Sequence, residues 1–209
     1  MVGFSVELAI VDFFVPILFL CSFLILKKNL KSKMEKKLYT LFVIGMSMSL
    51  IMGFIIPTYK LIVGLGFLKF TPPGHLIVMT GIGLLTAGSS LFINVFKEED
   101  LSKWCGTGLM IPVAYLNMLW IILGVIGEAL LYISLIKIAK ENNLKKPIIF
   151  LAISFCFVIL MGMCGSIENV NSALTHWILE IVNICTQFFL LLAVMNLFPK
   201  KEKACWFHL

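Results

Sequence analysis

The sequence predicts an all-α protein, a polytopic transmembrane helix bundle of six spans, with a seventh crossing or a re-entrant segment left open. Two observations carry this prediction. Of the 209 residues, 60% are hydrophobic and 13% are charged, whereas soluble domains have roughly 45–50% apolar and about 25% charged residues. Apolar runs of about the 20 residues that cross a bilayer also recur along the chain, with short connections. We therefore expect one integral membrane domain, 1–209.

Six apolar runs are long enough to cross the hydrocarbon core as helices. The predicted spans are residues 4–26, 38–57, 75–96, 109–139, 147–165 and 176–198. The first begins almost at residue 1 without a basic segment before it, so we interpret it as a span and not as a cleavable signal peptide. The fourth would be about 45 Å long, and we expect it to tilt or to project from the bilayer.

Segment 58–74 interrupts this pattern. Its apolar part is only about ten residues long, which is too short for a span. Gly64, Gly66, Pro72 and Pro73 oppose a regular helix there. We expect an interfacial helix or a re-entrant segment.

Small and hydroxyl-bearing residues recur every four positions in two of the predicted spans. In the second span, Gly45, Ser49 and Gly53 form a ridge that predicts close approach of another helix. In the third span, we expect the hydroxyls of Thr86 and Ser90 to bond back to carbonyls of their own helix. Both patterns indicate packing and not a ligand site.

The basic residues, all lysines, lie mostly beside the ends of the apolar runs. This placement is typical of segments next to anionic lipid, and it predicts the lipid bilayer as a partner and no nucleic acid. We expect a multi-pass protein of the plasma membrane. Six simple spans with an external N-terminus would place eight lysines inside and nine outside, so the positive-inside rule selects no orientation.

Two arrangements would explain the even distribution of lysines. An extra crossing between residues 57 and 109, or within the fourth run, would bring 13 lysines to one side. Alternatively, the two halves, each with three spans, would have opposite orientations, like the inverted repeats of many transporters.

Acidic residues occur at depth in three predicted spans, where polar groups are costly and indicate function by default. They are Asp12, Glu128 and Glu180, with Glu7 near the start of the first span. No lysine lies at comparable depth in the predicted spans, so we expect an acidic interior without basic partners. Such carboxyl groups either take up a proton or bind a cation.

The sixth predicted span has a polar face. His176, Glu180, Asn183 and Gln187 are spaced by four, three and four residues and therefore share one side of a helix. These groups need other helices or a water-filled cavity as partners. His176 and Glu180 could relay protons as a pair, or His176 could anchor the helix at the interface. Asn183 and Gln187 could instead bond neighbouring helices.

The fourth predicted span has a matching face, formed by Asn117, Gly124 and Glu128. Gly124 and Gly127 leave room beside Glu128 for a water, an ion or another backbone. The alternative is a protonated glutamic acid that bonds a neighbouring helix.

The first predicted span combines an acid with a proline one turn later. Pro16 cannot donate to the carbonyl of Asp12, which predicts a kink at this point. A kink beside an acid suits a gate or an ion site, and it also suits a purely structural bend.

No Walker, HExxH, GxSxG or dinucleotide-binding motif occurs in the chain, and no spacing of histidines or cysteines supports a metal site. The sequence does not identify a cofactor.

Three functions remain. The first is a small transporter or permease for a proton, a cation or a small solute. The second is an intramembrane enzyme acting on a lipid or isoprenoid. The third is a non-catalytic subunit of a membrane complex or a homo-oligomer. The predicted ligand or ion pathway contains Asp12, Asn117, Glu128, His176, Glu180, Asn183 and Gln187.

Overall fold

The computed structural model describes residues 5–67, 74–101, 116–165 and 173–198, and this part of the chain is helical apart from short turns and end residues. The all-α class is confirmed. The helices are α1 (Val6–Asp12), α2 (Phe14–Leu30), α3 (Lys36–Gly64), α4 (Gly74–Leu101), α5 (Leu116–Glu141), α6 (Lys145–Gly165) and α7 (Ala173–Leu197).

Four segments are long and apolar enough to cross a membrane, judged by length and composition. They are Val6–Leu30, Lys36–Gly64, Met79–Phe96 and Leu174–Leu197. Large apolar side chains such as Phe14, Ile44 and Ile51 are more than half exposed on these helices, as expected of surfaces that contact lipid. These features indicate an integral membrane protein. The prediction of six spans is not confirmed, because α5 and α6 are not among the four segments found in the described residues.

The break between α1 and α2 lies at Phe13, within one turn of Pro16. Because Pro16 has no N–H, the carbonyl of Asp12 loses its usual helical donor. The Phe13 N–H still bonds the carbonyl of Ile10 at 3.3 Å, so the chain continues as one membrane-length segment. The helix is thus interrupted where the proline predicted a disturbance, although Phe13 keeps right-handed helical dihedral angles.

Helix α3 continues past Pro57, where we expected the second span to end, and reaches Gly64. It closes at Gly66, whose positive φ of 83° suits glycine, while the Phe67 N–H bonds the carbonyl of Ile62 at 3.2 Å. The interfacial or re-entrant interpretation is therefore wrong for residues 58–67. Residues 68–73 lie outside the described part of the chain.

The other bounds differ less from the predictions. Helix α4 extends beyond residue 96 to Leu101, and α5 begins at Leu116. Residues 109–115 of the predicted fourth span lie outside the described ranges. The turn after α5 closes at Asn143, which has a φ of 54°, and the Leu144 N–H bonds the carbonyl of Ala139 at 2.9 Å.

One end of the bundle, the lysine-rich end, contains the α2–α3 turn (31–35) and the α5–α6 turn (142–144) with the lysines beside them. The C-terminal ends of α4 and α7 lie here too. The Asn94 side chain of α4 accepts from the Glu35 N–H at 3.0 Å. The Lys33 ammonium lies 5.1 Å from the ring centroid of Phe198, just after α7.

Helices α4 and α5 run in the same direction. A Cβ on Gly124 would lie 3.3 Å from the Cα of Gly81, and one on Gly88 would meet the backbone of Gly127. Toward the lysine-rich end, the Lys137 ammonium of α5 lies 3.9 Å from the centroid of Phe96 in α4. Later residues of α4 therefore contact later residues of α5, as in a parallel pair. Consequently Leu101, the last residue of α4, and Leu116, the first residue of α5, lie at opposite ends of the bundle.

This parallel pair makes the predicted inverted halves wrong. The chain divides into two sets of three helical segments, and both sets run toward, away from and again toward the lysine-rich end. The first set is α1–α2, α3 and α4, and the second is α5, α6 and α7. Each set contains an extensive contact, α3 with α4 and α6 with α7. The two sets contact each other through α4–α5 and α2–α7, so the helices close into a ring. Such a layout is typical of parallel repeats, which also occur in transporters.

Glycine contacts bring α3, α4 and α5 unusually close together. A Cβ on Gly45 would overlap the backbone of α4 at Gly83 and Ala87. The Ser49 hydroxyl donates to the Thr80 carbonyl at 3.0 Å. The predicted small-residue ridge on α3 is thus confirmed as a packing surface against α4 at Gly45 and Ser49, whereas Gly53 lies beside Pro16 of α2. Thr86 and Ser90 bond back to carbonyls of their own helix, also as predicted.

The apolar core fills the half of the bundle nearer the lysine-rich end. It includes Leu26, Phe42, Leu91, Leu135 and Val194, each with no accessible surface. The other half contains a cavity.

Candidate functional site: an acidic cavity with a central lysine

The cavity has a volume of about 350 Å³ and is lined by residues from all seven helices. Polar groups share its wall with apolar side chains. The polar lining residues are Asp12, Ser49, Lys60, Thr80, Glu128, Glu180, Asn183, Thr186 and Gln187. The site residues expected from α1, α5 and α7 that line it are Asp12, Glu128, Glu180, Asn183 and Gln187. The break in α1–α2 and the length of α3 allow these side chains to meet.

Lys60 joins three helices by binding two carboxylates. Its ammonium lies 2.7 Å from Oδ2 of Asp12 and 2.5 Å from Oε1 of Glu180. The side chains of the three residues are between 8% and 15% exposed, so the ion pairs are largely screened from solvent. A buried carboxylate is costly unless a counter-charge and hydrogen bonds accompany it, and Lys60 provides both.

The expectation of an acidic interior without basic partners is therefore wrong. It followed from ending the second span at Pro57, which placed Lys60 in a surface segment. Because α3 continues for two turns after that proline, the ammonium enters the cavity. The apolar residues that continue past Pro57 on both sides of Lys60 were the sequence pattern that could have predicted a longer helix and a buried lysine.

Glu128 contributes a third carboxyl to the cavity wall, from α5. Neither of the ion pairs found in the described residues involves it, and no hydrogen bond of its side chain occurs there. The room that we expected beside it at Gly127 is occupied by the backbone of Leu84 and Leu85 in α4. Glu128 is thus held at a close helix contact while its side chain faces the cavity.

The two amides of α7 lie on the same wall of the cavity as Glu180. Asn183 and Gln187 follow Glu180 by about one and two turns, and both line the cavity. The Oε1 atom of Gln187 is buried and has no hydrogen-bond partner among the described residues. Buried polar atoms are nearly always bonded, so this acceptor is available for a donor inside the cavity.

The two remaining predicted residues are placed differently. His176 lies on α7 one turn before Glu180, is half-buried and is not a lining residue. Glu180 is bound by Lys60 from α3. Asn117 lies in the first turn of α5, and its side chain falls outside the described residues.

A buried hydrogen-bond chain that sequence reasoning missed joins α5, α6 and α7 beside the cavity. The Ser154 hydroxyl donates to the Thr186 carbonyl at 2.7 Å. Its oxygen lies 2.5 Å from the hydroxyl of Tyr132. Because Ser154 has one proton to donate, Tyr132 must be the donor in this second bond. The three side chains are at most 2% exposed, and they fix the wall on which Glu128 and Gln187 lie.

The cavity therefore combines two carboxylates that share one lysine with a third carboxyl and an amide oxygen that has no partner among the described residues. In the described chain, no group of three or more His, Cys, Asp or Glu side chains is arranged to hold a metal ion. The arrangement can bind a proton at a carboxyl, exchange the partners of the Lys60 ammonium, or accept hydrogen bonds from a small cationic solute.

No protein-family model matches the chain, and the searches of curated proteins and of solved structures likewise find no match.

Proposed function

We propose that this protein is a small membrane transporter or permease that passes a proton, a cation or a small solute through its acidic cavity. The observation that carries the proposal is the convergence of Asp12, Lys60, Glu128 and Glu180 on one cavity between membrane-length helices. Ionisable groups at this depth typically belong to substrate pathways and proton relays.

The ion pairs of Lys60 suit a transport cycle because they can be exchanged. The ammonium of Lys60, on α3, binds one carboxylate on α1 and another on α7. These two ion pairs therefore fix the positions of the three helices relative to one another. Protonation of either carboxylate, or binding of another cation to it, would weaken one of the two pairs. A change of charge in the cavity would thereby favour a different arrangement of the helices.

The bundle also has the asymmetry that alternating access requires. The packed core separates the cavity from the lysine-rich end. Two three-helix halves with the same direction meet along α4–α5 and α2–α7. Rocking of such halves around a central site is a common transport mechanism.

A flux assay tests the proposal. The full-length protein would be reconstituted into liposomes that contain a pH-sensitive dye, and proton influx would be driven by a potassium diffusion potential. Parallel vesicles would report uptake of radioactive sodium or rubidium. We expect protein-dependent flux of at least one ion, and we expect Glu128→Gln to reduce it by about tenfold or more.

Glu7→Gln is the matched control, because Glu7 is an exposed acid on the same helix as Asp12 and does not line the cavity. Flux should be unchanged in this variant. Absence of flux for every ion would contradict ion transport. Turnover of lipids by vesicles without any gradient would favour the intramembrane enzyme instead. Isolation only as part of a stable assembly would favour the complex subunit.

A further inference from the structure

We infer that the cavity is a binding site for an organic ammonium ion, a small amine with an apolar body whose charged end lies at Glu128 and Gln187. This inference names a substrate class and rests on the proposed transport function. Four properties of the cavity support it, namely its charge, its free acceptors, its apolar wall and its size.

The charge of the lining favours a cation. Among the described lining residues there are three carboxyl groups and one ammonium. Lys60 accompanies Asp12 and Glu180 at ion-pair distance. When ionised, the three carboxyls exceed the one ammonium by two negative charges, and Glu128 is the carboxyl that has no ion pair in the described chain. A monovalent cation beside Glu128 would offset one of these two charges.

The free hydrogen-bonding groups favour a cation that carries N–H donors. The carboxyl of Glu128 and the buried Oε1 of Gln187 are both acceptors, and they line the same cavity. A protonated amine has N–H donors and no acceptor, as the Lys60 ammonium does. The bonds that Lys60 makes to two carboxylates show that an ammonium group fits the chemistry of this wall.

The rest of the wall favours an apolar body and disfavours a hard divalent cation. Half of the twenty lining residues are apolar, with Phe19, Leu50, Leu84, Leu131 and Leu190 around the polar groups. Hard divalent cations need about six oxygen ligands, whereas the described residues contain no group of three or more candidate ligands for a metal. Apolar side chains would instead contact the carbon skeleton of an amine.

The size of the cavity suits a small molecule. Its volume of about 350 Å³ is at the lower end of the roughly 300–1,000 Å³ that small-molecule sites occupy. A single ring with a short aminoalkyl chain is an appropriate probe, because it has one ammonium group and a compact apolar part.

The test is equilibrium binding to the full-length protein in detergent, measured by calorimetry. The probes are 2-phenylethylamine, the neutral 2-phenylethanol and the anionic 3-phenylpropionate, which share an aromatic ring and differ in charge. We expect the amine to bind and the alcohol and the acid to bind at least about tenfold more weakly, since a charge-assisted hydrogen bond distinguishes them. Equal binding of the alcohol, or no binding of the amine, would overturn the inference.

Variants locate the amine within the cavity. Glu128→Gln should weaken amine binding by about tenfold or more, Glu128→Asp should retain most of it, and Glu7→Gln should leave it unchanged. Amine binding that is unaffected in a folded Glu128→Gln protein would refute the assignment to Glu128. If that variant does not fold, the comparison of the three probes on the unmodified chain still decides whether the site selects an ammonium ion.

The binding experiment and the flux experiment test the ammonium site and the transport function separately. Ion flux that depends on Glu128, without amine binding, would refute the ammonium site and leave the transporter proposal in place. Amine binding that is lost in Glu128→Gln, without flux of the amine or of any ion, would establish the site and refute transport.

Discussion

At the residue scale, the most consequential interaction is the binding of Asp12 and Glu180 by the Lys60 ammonium. Asp12 and Glu180 each have less than 10% of their residue surface exposed, and they belong to different helices. Removing the lysine alone would leave two acids in a low-dielectric setting without their counter-charge. Breaking a buried pair in this way is more damaging than removing all of its charges together.

We predict that Lys60→Met lowers the free energy of unfolding by about 3 kcal/mol. Lys36→Met is the matched control, because Lys36 is an exposed lysine of the same helix and its loss should have little effect. The triple variant with Lys60→Met, Asp12→Asn and Glu180→Gln should recover most of the stability. Unfolding by denaturant in mixed micelles measures all three. Equal stability of Lys60→Met and Lys36→Met would contradict the importance of the ion pairs.

The sequence indicated many lining residues but not their partners. The spacing of Glu180, Asn183 and Gln187 placed them on one helical face, because helical periodicity is a local property. The partner of Glu180 lies 120 positions earlier in the chain, on α3. No local pattern specifies such a contact. The hydrogen bonds that join Tyr132, Ser154 and Thr186 were not predicted for the same reason, since isolated hydroxyls in apolar runs are common.

At the element scale, the contact between α4 and α5 depends on glycines that allow backbone to touch backbone. A Cβ on Gly88 would meet the carbonyl of Gly127, and a Cβ on Gly127 would meet the backbone of Leu85. These neighbours are main-chain atoms and cannot rotate away. Because Glu128 follows Gly127 directly, this contact also sets the position of the Glu128 side chain in the cavity.

We predict that Gly88→Ala and Gly127→Ala each destabilise the protein by about 2 kcal/mol, the usual cost of overpacking. Gly53→Ala is the control, since its Cβ would lie 3.4 Å from the Cβ of Pro16, an ordinary contact distance. That variant should be unchanged or slightly more stable, because alanine favours a helix over glycine. Thermal unfolding in detergent gives the comparison. Three equal midpoints would show that the α4–α5 contact adjusts without cost.

Element bounds were predictable where local chemistry sets them. Pro16 indicated the break at Phe13. Gly66 ends α3 through its left-handed conformation, although the predicted end of this span was Pro57. Pro57 gave a misleading signal, because a proline inside a membrane helix is tolerated when neighbouring helices compensate for the missing bond. The direction of α5 relative to α4 was not predictable from apolar periodicity, which is the same for a helix read in either direction.

At the scale of the whole molecule, the parallel α4–α5 pair removes the ambiguity in the distribution of lysines. The segments 27–37 and 137–146 both lie at the lysine-rich end and together contain ten lysines. Helix α7 also ends there, and the lysines of the chain after residue 198 follow it in sequence. The even distribution expected for six alternating spans therefore does not apply. The positive-inside rule now selects an orientation with the lysine-rich end in the cytoplasm.

The orientation is testable by labelling cysteines introduced at opposite ends of α3. Ser32 lies in the turn at the lysine-rich end, and Phe67 follows α3 at the other end with 78% of its surface exposed. We predict that a membrane-impermeant maleimide labels Phe67→Cys in intact cells, whereas Ser32→Cys is labelled only after the cells are permeabilised. The unmodified chain, which contains six cysteines of its own, gives the background. Labelling of Ser32→Cys in intact cells would reverse the orientation. With the predicted orientation, the cavity lies in the half of the bundle that faces away from the cytoplasm, and the proposed transport would require a solute to pass the packed core.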